Sequence, residues 1–350
     1  MYQIVKIQKR GGGFREIRIP DAKLKKKQLE ILGWLKRLKI HPGYHIHAYM
    51  RGRSVRTNAK ALLLKQADGT LRSPDCILKI DISDFFHSVL EHHVEESLSY
   101  ERAPKWLIDE IKDTCFDMID GKKALPQGAP TSPFLSSVAM KRIVSLIRGL
   151  IIRWNREHHC PVVFSAYCDN LTFGCDSREV WKLLYQVRYI LESEGFEINE
   201  NKTRFHHKPA RLIVCGVQIN DKIGPKRSYW RSMRADLHNA ITDLRAAIVP
   251  AGFYLDNEFR KQIRQAQGIE KKDGLVTLLG LNQEARKILN KAKRKKAIIP
   301  VPMDQWKGRI AFITSLDQNK GAALKAKFDE LENLTCSMKA ATFSSARMTP

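Results

Sequence analysis

The stretch FSAYCDNLTFG, residues 164–174, decides the fold because an apolar run breaks at Asp169-Asn170 and resumes at once. Before the break, side chains at residues 162–168 alternate between two faces, which is the period of a β-strand. Two apolar runs joined by two polar residues predict a hairpin over residues 161–174. Asp and Asn accept the positive φ angles of a tight hairpin, so one interpretation of the pair is an ordinary turn.

A second acid, Asp81, closes the apolar run DCILKIDI at residues 75–82. This run is too short for a buried helix, so it is predicted to be a core strand. If the two strands are neighbours in one sheet, Asp81 and Asp169 meet at its edge with access to water. Two carboxylates so placed repel each other unless a cation lies between them, and Mg²⁺ prefers such ligands. The pair therefore indicates a two-metal site for phosphoryl transfer.

Composition limits the class of protein. At 350 residues and 43% hydrophobic content, the chain can bury one large domain and a smaller one without a disulfide or metal staple. Its seven cysteines are scattered and form no CxxC pair, which favours reduced packing residues. The start, MYQIVKIQKRGGG, lacks the apolar core of a secretory signal, and no run of about 18 apolar residues occurs. We therefore expect a cytoplasmic protein with no membrane partner.

Charge points to a polyanionic partner. The chain has 61 Lys and Arg against 37 Asp and Glu, a net charge of +24. Nucleic acid suits this excess through phosphate neutralisation, with solubility alone or an anionic membrane surface as the alternatives. In the second of three basic runs, Tyr229 and Trp230 suit stacking on a strand. The basic runs are KLKKK (23–27), PKRSYWRSMR (225–234) and RKILNKAKRKKA (286–297).

Periodicity predicts a mixed α and β core followed by a helical appendage, joined near residues 220–228. We expect helices at 24–39, 91–100, 104–119, 133–155 and 177–194, short strands near 196–198, 203–206 and 211–219, and a helical pattern from 228 onward.

Five motifs follow one another in this order: ILKIDISDFFHSV, LPQGAPTSPFLSS, YCDNLTFG, GFEINENKTRF and VCGVQIN. They resemble the successive motifs of reverse transcriptases, most closely the bacterial retron type, over about residues 10–330. The resemblance implies an α+β right-hand polymerase fold. Its fingers would take residues 1–75, its palm with an antiparallel sheet 76–220 with finger elements inserted, and its helical thumb and C-terminal tail 221–350.

Two further stretches bear on the branch of the family. RGRSVRTNAKAL holds Asn58-Ala59, with Leu62 where retron enzymes usually have His. VCG at residues 214–216 stands where they usually have Val-Thr-Gly. Both departures keep open another bacterial branch, such as an abortive-infection or group II intron-like reverse transcriptase.

By resemblance, Asp81 would ligate both of two Mg²⁺ ions, the Ile82 carbonyl would help, and Asp169 would complete the bridge. Lys202 matches the position of a lysine near the pyrophosphate leaving group, although a surface lysine is the alternative. Together with Asn170, which would be a further metal ligand, these residues would form the catalytic centre.

The resemblance also implies a nucleotide pocket. Asp84 would support the triphosphate, and Phe86 would block a ribose 2′-OH and so favour dNTPs. Without the motifs, these two residues indicate only a strand-end cap and a core aromatic. Gln127 and Gly128 would position template and nucleotide, and Arg53 would contact the triphosphate.

The His-rich stretch HPGYHIHAY, residues 41–49, raises the alternative of a zinc site. Its spacing lacks a second clustered pair of ligands, so the stretch favours packing and fingers contacts.

Asn170 departs from the family, whose motif usually has a second Asp here. An amide keeps the shape and one carbonyl oxygen but removes a negative charge from a site for two dications. Three explanations remain open: natural tolerance, an engineered inactivating substitution, or a polymerase-like scaffold that binds RNA without synthesis.

The resemblance implies an RNA-directed DNA polymerase in the bacterial cytoplasm. A structured noncoding RNA would serve as template and, through a 2′-OH, as primer, and dNTP addition would give RNA-linked single-stranded DNA. Arg227, Arg231 and Arg234 would grip the RNA together with Tyr229 and Trp230. An effector protein of an anti-phage defence system is the further partner implied.

Overall fold

A computed structural model describes residues 1–8, 12–220, 222–245, 253–255, 257–266, 283–294 and 298–346. The chain divides into two compact units, Met1–Ile223 and Gly224–Pro350. The assignment of fingers, palm and thumb to residue ranges stays a prediction.

The first unit contains most of the strands. Its elements are β1 (Tyr2–Gln8), β2 (Phe14–Pro20), α1 (Ala22–Arg37), α2 (Val55–Lys60), β3 (Leu64–Lys65), β4 (Leu71–Arg72), β5 (Cys76–Asp81), α3 (Phe85–Ser88), α4 (Glu91–Tyr100), α5 (Lys105–Thr114), β6 (Asp117–Ile119), β7 (Lys122–Ala124), α6 (Ser132–His158), β8 (Val163–Tyr167), β9 (Asn170–Cys175), a 3₁₀ helix at Arg178–Lys182, α7 (Leu183–Ser193), β10 (Arg204–His207), β11 (Ile213–Val214) and β12 (Val217–Gln218).

The centre of this unit is a four-stranded sheet in the order β10-β5-β9-β8. All three pairings are antiparallel. β5 is buried over nearly its whole length, which explains its almost continuous apolar sequence. The long helix α6 begins with Ser132-Pro133 and packs its apolar side chains into the core that also holds β5, β8 and β9. The predicted core strand, the hairpin and the helix at 133–155 are confirmed.

The predicted helix at 104–119 is wrong in its last part. α5 ends at Thr114, and the chain then forms the hairpin β6–β7, in which Ile119 pairs with Lys122. The two loop residues, Asp120 and Gly121, both have positive φ, 49° and 76°. Asp-Gly is a preferred pair for such a hairpin turn, so the local turn signal overrides the helical pattern.

Other predicted elements are shorter than expected. The predicted strand at 196–198 is only an isolated bridge between Ile198 and Ile82. The strand predicted at 211–219 is the short pair β11–β12, which turns at Cys215-Gly216 with φ of 47° and 81°. The helix predicted at 177–194 begins as a 3₁₀ helix.

The N-terminal hairpin β1–β2 does not follow from the predicted elements. Its strands pair from Tyr2 with Pro20 to Gln8 with Phe14, and most of its side chains are exposed. Exposed strands lack the clean apolar alternation that identifies a half-buried strand.

The second unit is mainly helical. Its elements are β13 (Gly224–Pro225), α8 (Arg227–Arg245), β14 (Phe253–Leu255), α9 (Asn257–Ala266), α10 (Gln283–Arg294), β15 (Ile298–Pro300), α11 (Met303–Leu316) and α12 (Gln318–Ala346). The antiparallel pair β14–β15 corrects the expectation of a purely helical pattern. Met233, Leu237 and Trp306 lie in its own hydrophobic core. Residues 295–297 of the third basic run lie outside the described residues.

Within the described ranges, no helix is long and apolar enough to cross a lipid bilayer.

Candidate active site

The two acids singled out in the sequence meet at one end of the central sheet. β5 pairs with β9 so that Asp81 lies opposite Asn170. Just beyond the pair, the Ile82 amide donates to the Asp169 carbonyl oxygen at 2.9 Å. The Asp81 side chain is 9% exposed, and a charge at this depth is stable only with a partner. The register therefore places both carboxylates beside the hairpin tip.

The tip is a two-residue loop, since Tyr167 pairs with Asn170. Among the described residues of this turn, Cys168 alone has a positive φ, at 56°. Asp169 and Asn170 therefore do not supply the left-handed conformation that the turn interpretation assigned to them. The Cys168 thiol lies 3.3 Å from the Tyr49 hydroxyl, and burial raises the pKa of this thiol to about 12. Cys168 is a neutral residue that shapes the turn.

Burial is the main cause that raises the pKa of Asp169, and the charge of Asp81 acts in the same direction. Three influences oppose the rise: a hydrogen bond to the backbone of Asp169 itself, the bond that Asn170 Nδ2 donates to Asp169 Oδ1 at 2.7 Å, and the positive charge of Lys202. The site thus concentrates negative charge where little water can screen it, which favours the binding of a cation.

Lys202 reaches this site from a distant part of the sequence. Its Nζ donates to Asp81 Oδ1 at 3.0 Å, while 61% of its side chain stays exposed. The local backbone brings it there, because the Asn199 amide donates to the Asp81 carbonyl at 2.8 Å and the Lys202 amide donates to the Asn199 carbonyl at 3.1 Å. The lysine predicted to lie near a leaving group thus contacts one of the two acids.

The oxygen atoms at the tip suit Mg²⁺. Asp81 and Asp169 offer carboxylates, and Asn170 and Ile82 offer neutral carbonyl oxygens, all hard donors of the kind that Mg²⁺ binds. In the part of the chain that the structure describes, no group of three or more His, Cys, Asp or Glu side chains is placed to hold a metal. A cation here would therefore complete its shell with carbonyl oxygens and water.

Asp84 and Phe86 follow the acidic end of β5. Asp84 has a φ of 40°, and its Oδ2 lies 3.1 Å from the His87 Nδ1. Its side chain is 70% exposed. Phe86 is half-buried against the core, with its ring 5.7 Å from that of Phe85. The packing holds the Phe86 ring against the core, and its part in sugar selection stays a prediction.

Gln127 and Gly128 are held by the N-terminal hairpin. The Arg18 amide donates to the Gln127 carbonyl at 2.7 Å. Gly128 has a φ of 119°, and a Cβ there would lie 2.8 Å from both the Arg18 oxygen and the Ile17 Cγ2. Only glycine allows this close approach of the two backbones. The sequence motifs did not reveal β2 as the partner of this turn.

Arg53 makes other contacts than the one predicted. Its Nη1 donates to the carbonyl oxygens of Gly43 at 2.7 Å and Tyr44 at 3.0 Å, and also to that of Ile46. These bonds brace the loop before α2. The predicted contact of Arg53 with a triphosphate stays a prediction, and it would compete with these carbonyls.

The predicted RNA-binding arginines lie on α8 in the second unit. Arg227, Arg231 and Arg234 are all exposed. Their spacing of four and three residues places them on one side of the helix. They therefore form a basic stripe that can neutralise phosphates.

Tyr229 and Trp230 serve mainly in packing. Both rings are half-buried against the core of the second unit. The Arg309 Cζ lies 5.0 Å from the Tyr229 ring, and the Arg234 Cζ lies 5.2 Å from the Trp230 ring. Their expected stacking on a nucleic-acid strand stays a prediction, since protein groups already cover these rings.

The two retron-like stretches contact each other, which the sequence did not predict. The Asn58 Nδ2 lies 3.8 Å from the Cys215 Sγ. Lys79, on the same face of β5 as Asp81, donates to the Ile213 carbonyl at 3.2 Å. Both motifs were visible as separate signals, but their contact depends on the fold.

An antiparallel sheet with two acids at a hairpin tip, flanked by helices, is the arrangement of a right-hand polymerase fold. A family model described as reverse transcriptase (RNA-dependent DNA polymerase) matches residues 7–226. The chain belongs to this family.

Within this family, the chain is similar in sequence to several retron reverse transcriptases. The chain is 30% identical to the retron Mx65 reverse transcriptase of Myxococcus xanthus over 258 residues, covering 68% of this chain and 55% of that protein. It is 27% identical to the retron Mx162 reverse transcriptase of the same organism over 354 residues, covering 93% and 60%. It is 28% identical to the retron Ec83 reverse transcriptase of Escherichia coli over 248 residues, covering 66% and 72%. The predicted resemblance to retron reverse transcriptases is confirmed.

The chain spans 55% to 60% of the length of the two Myxococcus relatives. A distant structural likeness is to telomerase from Candida albicans in complex with a TWJ fragment of telomeric RNA. Its TM-score is 0.47 at 13% identity, with 98% of this chain and 64% of that chain covered.

Proposed function

We propose that this chain is an RNA-directed DNA polymerase of the retron type, which adds dNTPs to an RNA-primed strand. The observation that carries the proposal is the register of Asp81 opposite Asn170, since it brings two carboxylates to one sheet edge. Membership of the reverse transcriptase family supports the same activity.

Asp81 and Asp169 would hold Mg²⁺, with Asn170 Oδ1 and the Ile82 carbonyl as further oxygen donors. Bound Mg²⁺ would supply activation of the attacking hydroxyl and charge neutralisation on the phosphates. This chain's own contribution is to hold the two acids in register on a rigid sheet, with the backbone bond from Ile82 to Asp169 fixing the hairpin tip.

Other residues would act on the nucleotide. Lys202, released from Asp81, would place its ammonium near the departing pyrophosphate, where a positive charge stabilises the leaving group. Phe86 would close the sugar pocket against a 2′-OH. Gln127 would position the template-nucleotide pair from a turn that Gly128 and Arg18 hold in place.

The retron character of the proposal rests on the relatives. A structured noncoding RNA would provide the template and the priming 2′-OH, so that the product is single-stranded DNA linked to RNA. The exposed stripe of Arg227, Arg231 and Arg234 would bind its phosphates. An effector protein of an anti-phage defence system is proposed as a further partner, in the bacterial cytoplasm.

A second candidate is an RNA-binding scaffold without synthesis. The Asn170 amide occupies Asp169 Oδ1 and Lys202 occupies Asp81 Oδ1, so each acid has one oxygen engaged. This arrangement favours weaker metal binding than two free carboxylates. Another bacterial branch of reverse transcriptases, abortive-infection or group II intron-like, would share the site and differ in its RNA.

The RNA that copurifies with the protein tests the proposal. It is incubated with the protein, dNTPs and Mg²⁺, and the products are sequenced across the RNA to DNA junction. A DNA strand attached to an internal 2′-OH supports the retron type, and DNA on a 3′ end supports another branch. Tight, salt-sensitive RNA binding with no DNA product, even for Asn170→Asp, would contradict the polymerase and support the RNA-binding scaffold.

A further inference from the structure

The open end of the hairpin β8–β9 carries two cysteines that the proposed mechanism does not use. Cys160 precedes β8, and Cys175 is the last residue of β9. Both are free thiols, and their Sγ atoms lie 2.8 Å apart. Since a disulfide bond is about 2.05 Å long, the two sulfur atoms are about 0.8 Å from bonding distance.

The sheet and the long helix hold these two thiols together. β8 and β9 pair as far as Val163 opposite Gly174, so both cysteines lie at the open end of this hairpin. The Val162 amide donates to the Asn155 Oδ1 at 2.9 Å, which ties the segment after Cys160 to α6. The contact between the sulfur atoms therefore rests on two regular elements of the fold.

The two thiols differ in their access to solvent. Cys160 is half-buried and keeps part of its surface exposed, whereas Cys175 is fully buried. Burial, and next the hydrogen bond with Cys160, raise the pKa of Cys175 to about 12, so Cys175 stays a thiol at neutral pH. Because oxidation of cysteine follows exposure and thiolate character, a reagent from solution reacts first with Cys160.

A third cysteine, Cys76, is the alternative partner for Cys175. It lies directly opposite Cys175 in the pairing of β5 with β9. Its exposure is only 2%, so a reagent from solution does not reach it first. Exposure and the contact between sulfur atoms both select Cys160 as the partner of Cys175.

We infer that Cys160 and Cys175 are a site of reversible oxidation, at which a peroxide converts the two thiols into a disulfide. Hydrogen peroxide oxidises the Cys160 thiol to a sulfenic acid and is itself reduced to water. The Cys175 sulfur then attacks the Cys160 sulfur, the S–O bond breaks, and the departing hydroxide takes the Cys175 proton to form a second water. The two sulfur atoms together lose the two electrons that the peroxide gains. A small thiol reverses the step by exchange through a mixed disulfide.

This disulfide closes a loop, residues 160–175, that contains both strands of the hairpin and the acidic tip. A cross-link across such a loop restricts the unfolded chain, so it should raise the melting temperature by about 5 °C or more. Reversible cross-links of this kind are the ones that occur in a reducing compartment. The site does not depend on the proposed polymerase function, because it uses neither the acids nor a metal.

The test uses the full chain, which is reduced with dithiothreitol and then freed of it. The protein is treated with hydrogen peroxide, its remaining thiols are blocked with N-ethylmaleimide, and mass spectrometry of the digest identifies linked peptides. The variants are Cys160→Ser and Cys175→Ala. Cys336→Ser is the matched control, because Cys336 is an exposed thiol in the second unit. The same treatment in urea gives the yield of random pairing.

We expect a peptide linked through Cys160 and Cys175 in the wild type and in Cys336→Ser, at a higher yield than in urea, and no such peptide in the other two variants. Oxidation should raise the melting temperature of the wild type but not that of Cys160→Ser, and dithiothreitol should reverse the rise. A cross-link without this rise would overturn the stabilising effect.

Three results would overturn the site itself. These are a link from Cys175 to Cys76 instead, a yield no higher than in urea, or no link between Cys160 and Cys175 under conditions that oxidise Cys336. Cys160→Ser changes a half-buried side chain, so this variant tests the site even if Cys175→Ala fails to fold.

Discussion

The Lys202 Nζ lies 3.0 Å from Asp81 Oδ1, and the two side chains form an ion pair at the end of the central sheet. The lysine is mostly exposed, whereas the aspartate is nearly buried. The lysine is 121 residues from Asp81 in sequence. This pair neutralises one acid, and in the proposed mechanism the same ammonium would meet a nucleotide bound at that acid.

Lys202→Met should slow nucleotide addition by about a hundredfold or more, because a proton donor or cation near the leaving group is lost. The Mg²⁺ concentration for half-maximal rate should not rise, since the ammonium no longer competes for Asp81. Single-turnover extension at several Mg²⁺ concentrations measures both quantities. Lys208→Met is the control, since it breaks a similar pair with Asp75 of 2.9 Å outside the site. Equal rates for Lys202→Met and Lys208→Met would remove Lys202 from the mechanism.

Asp169→Asn should raise the melting temperature in EDTA while it abolishes synthesis. Burial and the charge of Asp81 raise the pKa of Asp169, so the native state binds this proton more tightly than the unfolded chain does. The contribution of Asp169 to the free energy of unfolding therefore falls as the pH rises from the unfolded-state pKa through the native pKa. Thermal melts at pH values from acid to neutral should show that the melting temperature of the variant rises relative to that of the wild type. A variant that is less stable than wild type at neutral pH would contradict this electrostatic account.

Gly128→Ala should lower the free energy of unfolding by about 2–4 kcal/mol, because the new methyl group meets the Arg18 oxygen and Ile17. Gly69→Ala is the control: its φ is also positive, at 80°, but nothing lies within 4 Å of the added Cβ. It should cost only the conformational part, about 1 kcal/mol. Denaturant titrations compare the two. Equal losses would show that the contact with β2 is not tight.

Replacing Arg227, Arg231 and Arg234 together by Gln should weaken RNA binding and reduce the slope of log K against log salt by about 2, as three phosphate contacts on a single strand are lost. Anisotropy titrations from low to high salt give the slope. A second triple variant removes the same charge from exposed arginines in the first unit, Arg153, Arg156 and Arg178. If both triples change the slope equally, binding reflects net charge rather than the stripe on α8.

The strongest parts of the fold were predictable from the sequence because they are strongly apolar and periodic. The core strand that ends at Asp81, the hairpin at 161–174 and the long helix after Pro133 all follow from burial patterns. The hairpin at Asp120-Gly121 was missed, since its turn signal lay inside a segment with helical spacing.

The sequence could name the candidate residues of the site, but it could not predict their contacts. Each motif identifies candidate residues by their type and spacing. The pairing of Asp81 with Asn170, which are 89 residues apart, depends on the register between β5 and β9 in the folded sheet. The positive φ at Cys168, the approach of β2 to Gly128 and the carbonyl contacts of Arg53 all depend on neighbours that sequence spacing does not reveal.

The most direct test of the central proposal is dNTP incorporation onto an RNA template and primer in Mg²⁺ by the wild type, Asp81→Asn and Asn170→Asp. Asn201→Asp, an exposed position beside Lys202, controls for added charge. We predict that the wild type incorporates dNTPs and that Asp81→Asn lowers the rate by about a thousandfold or more. Asn170→Asp should give a rate at or above that of the wild type, whereas the control Asn201→Asp should not raise it. No incorporation by the wild type and by Asn170→Asp, or undiminished incorporation by Asp81→Asn, would contradict a polymerase site at Asp81 and Asp169.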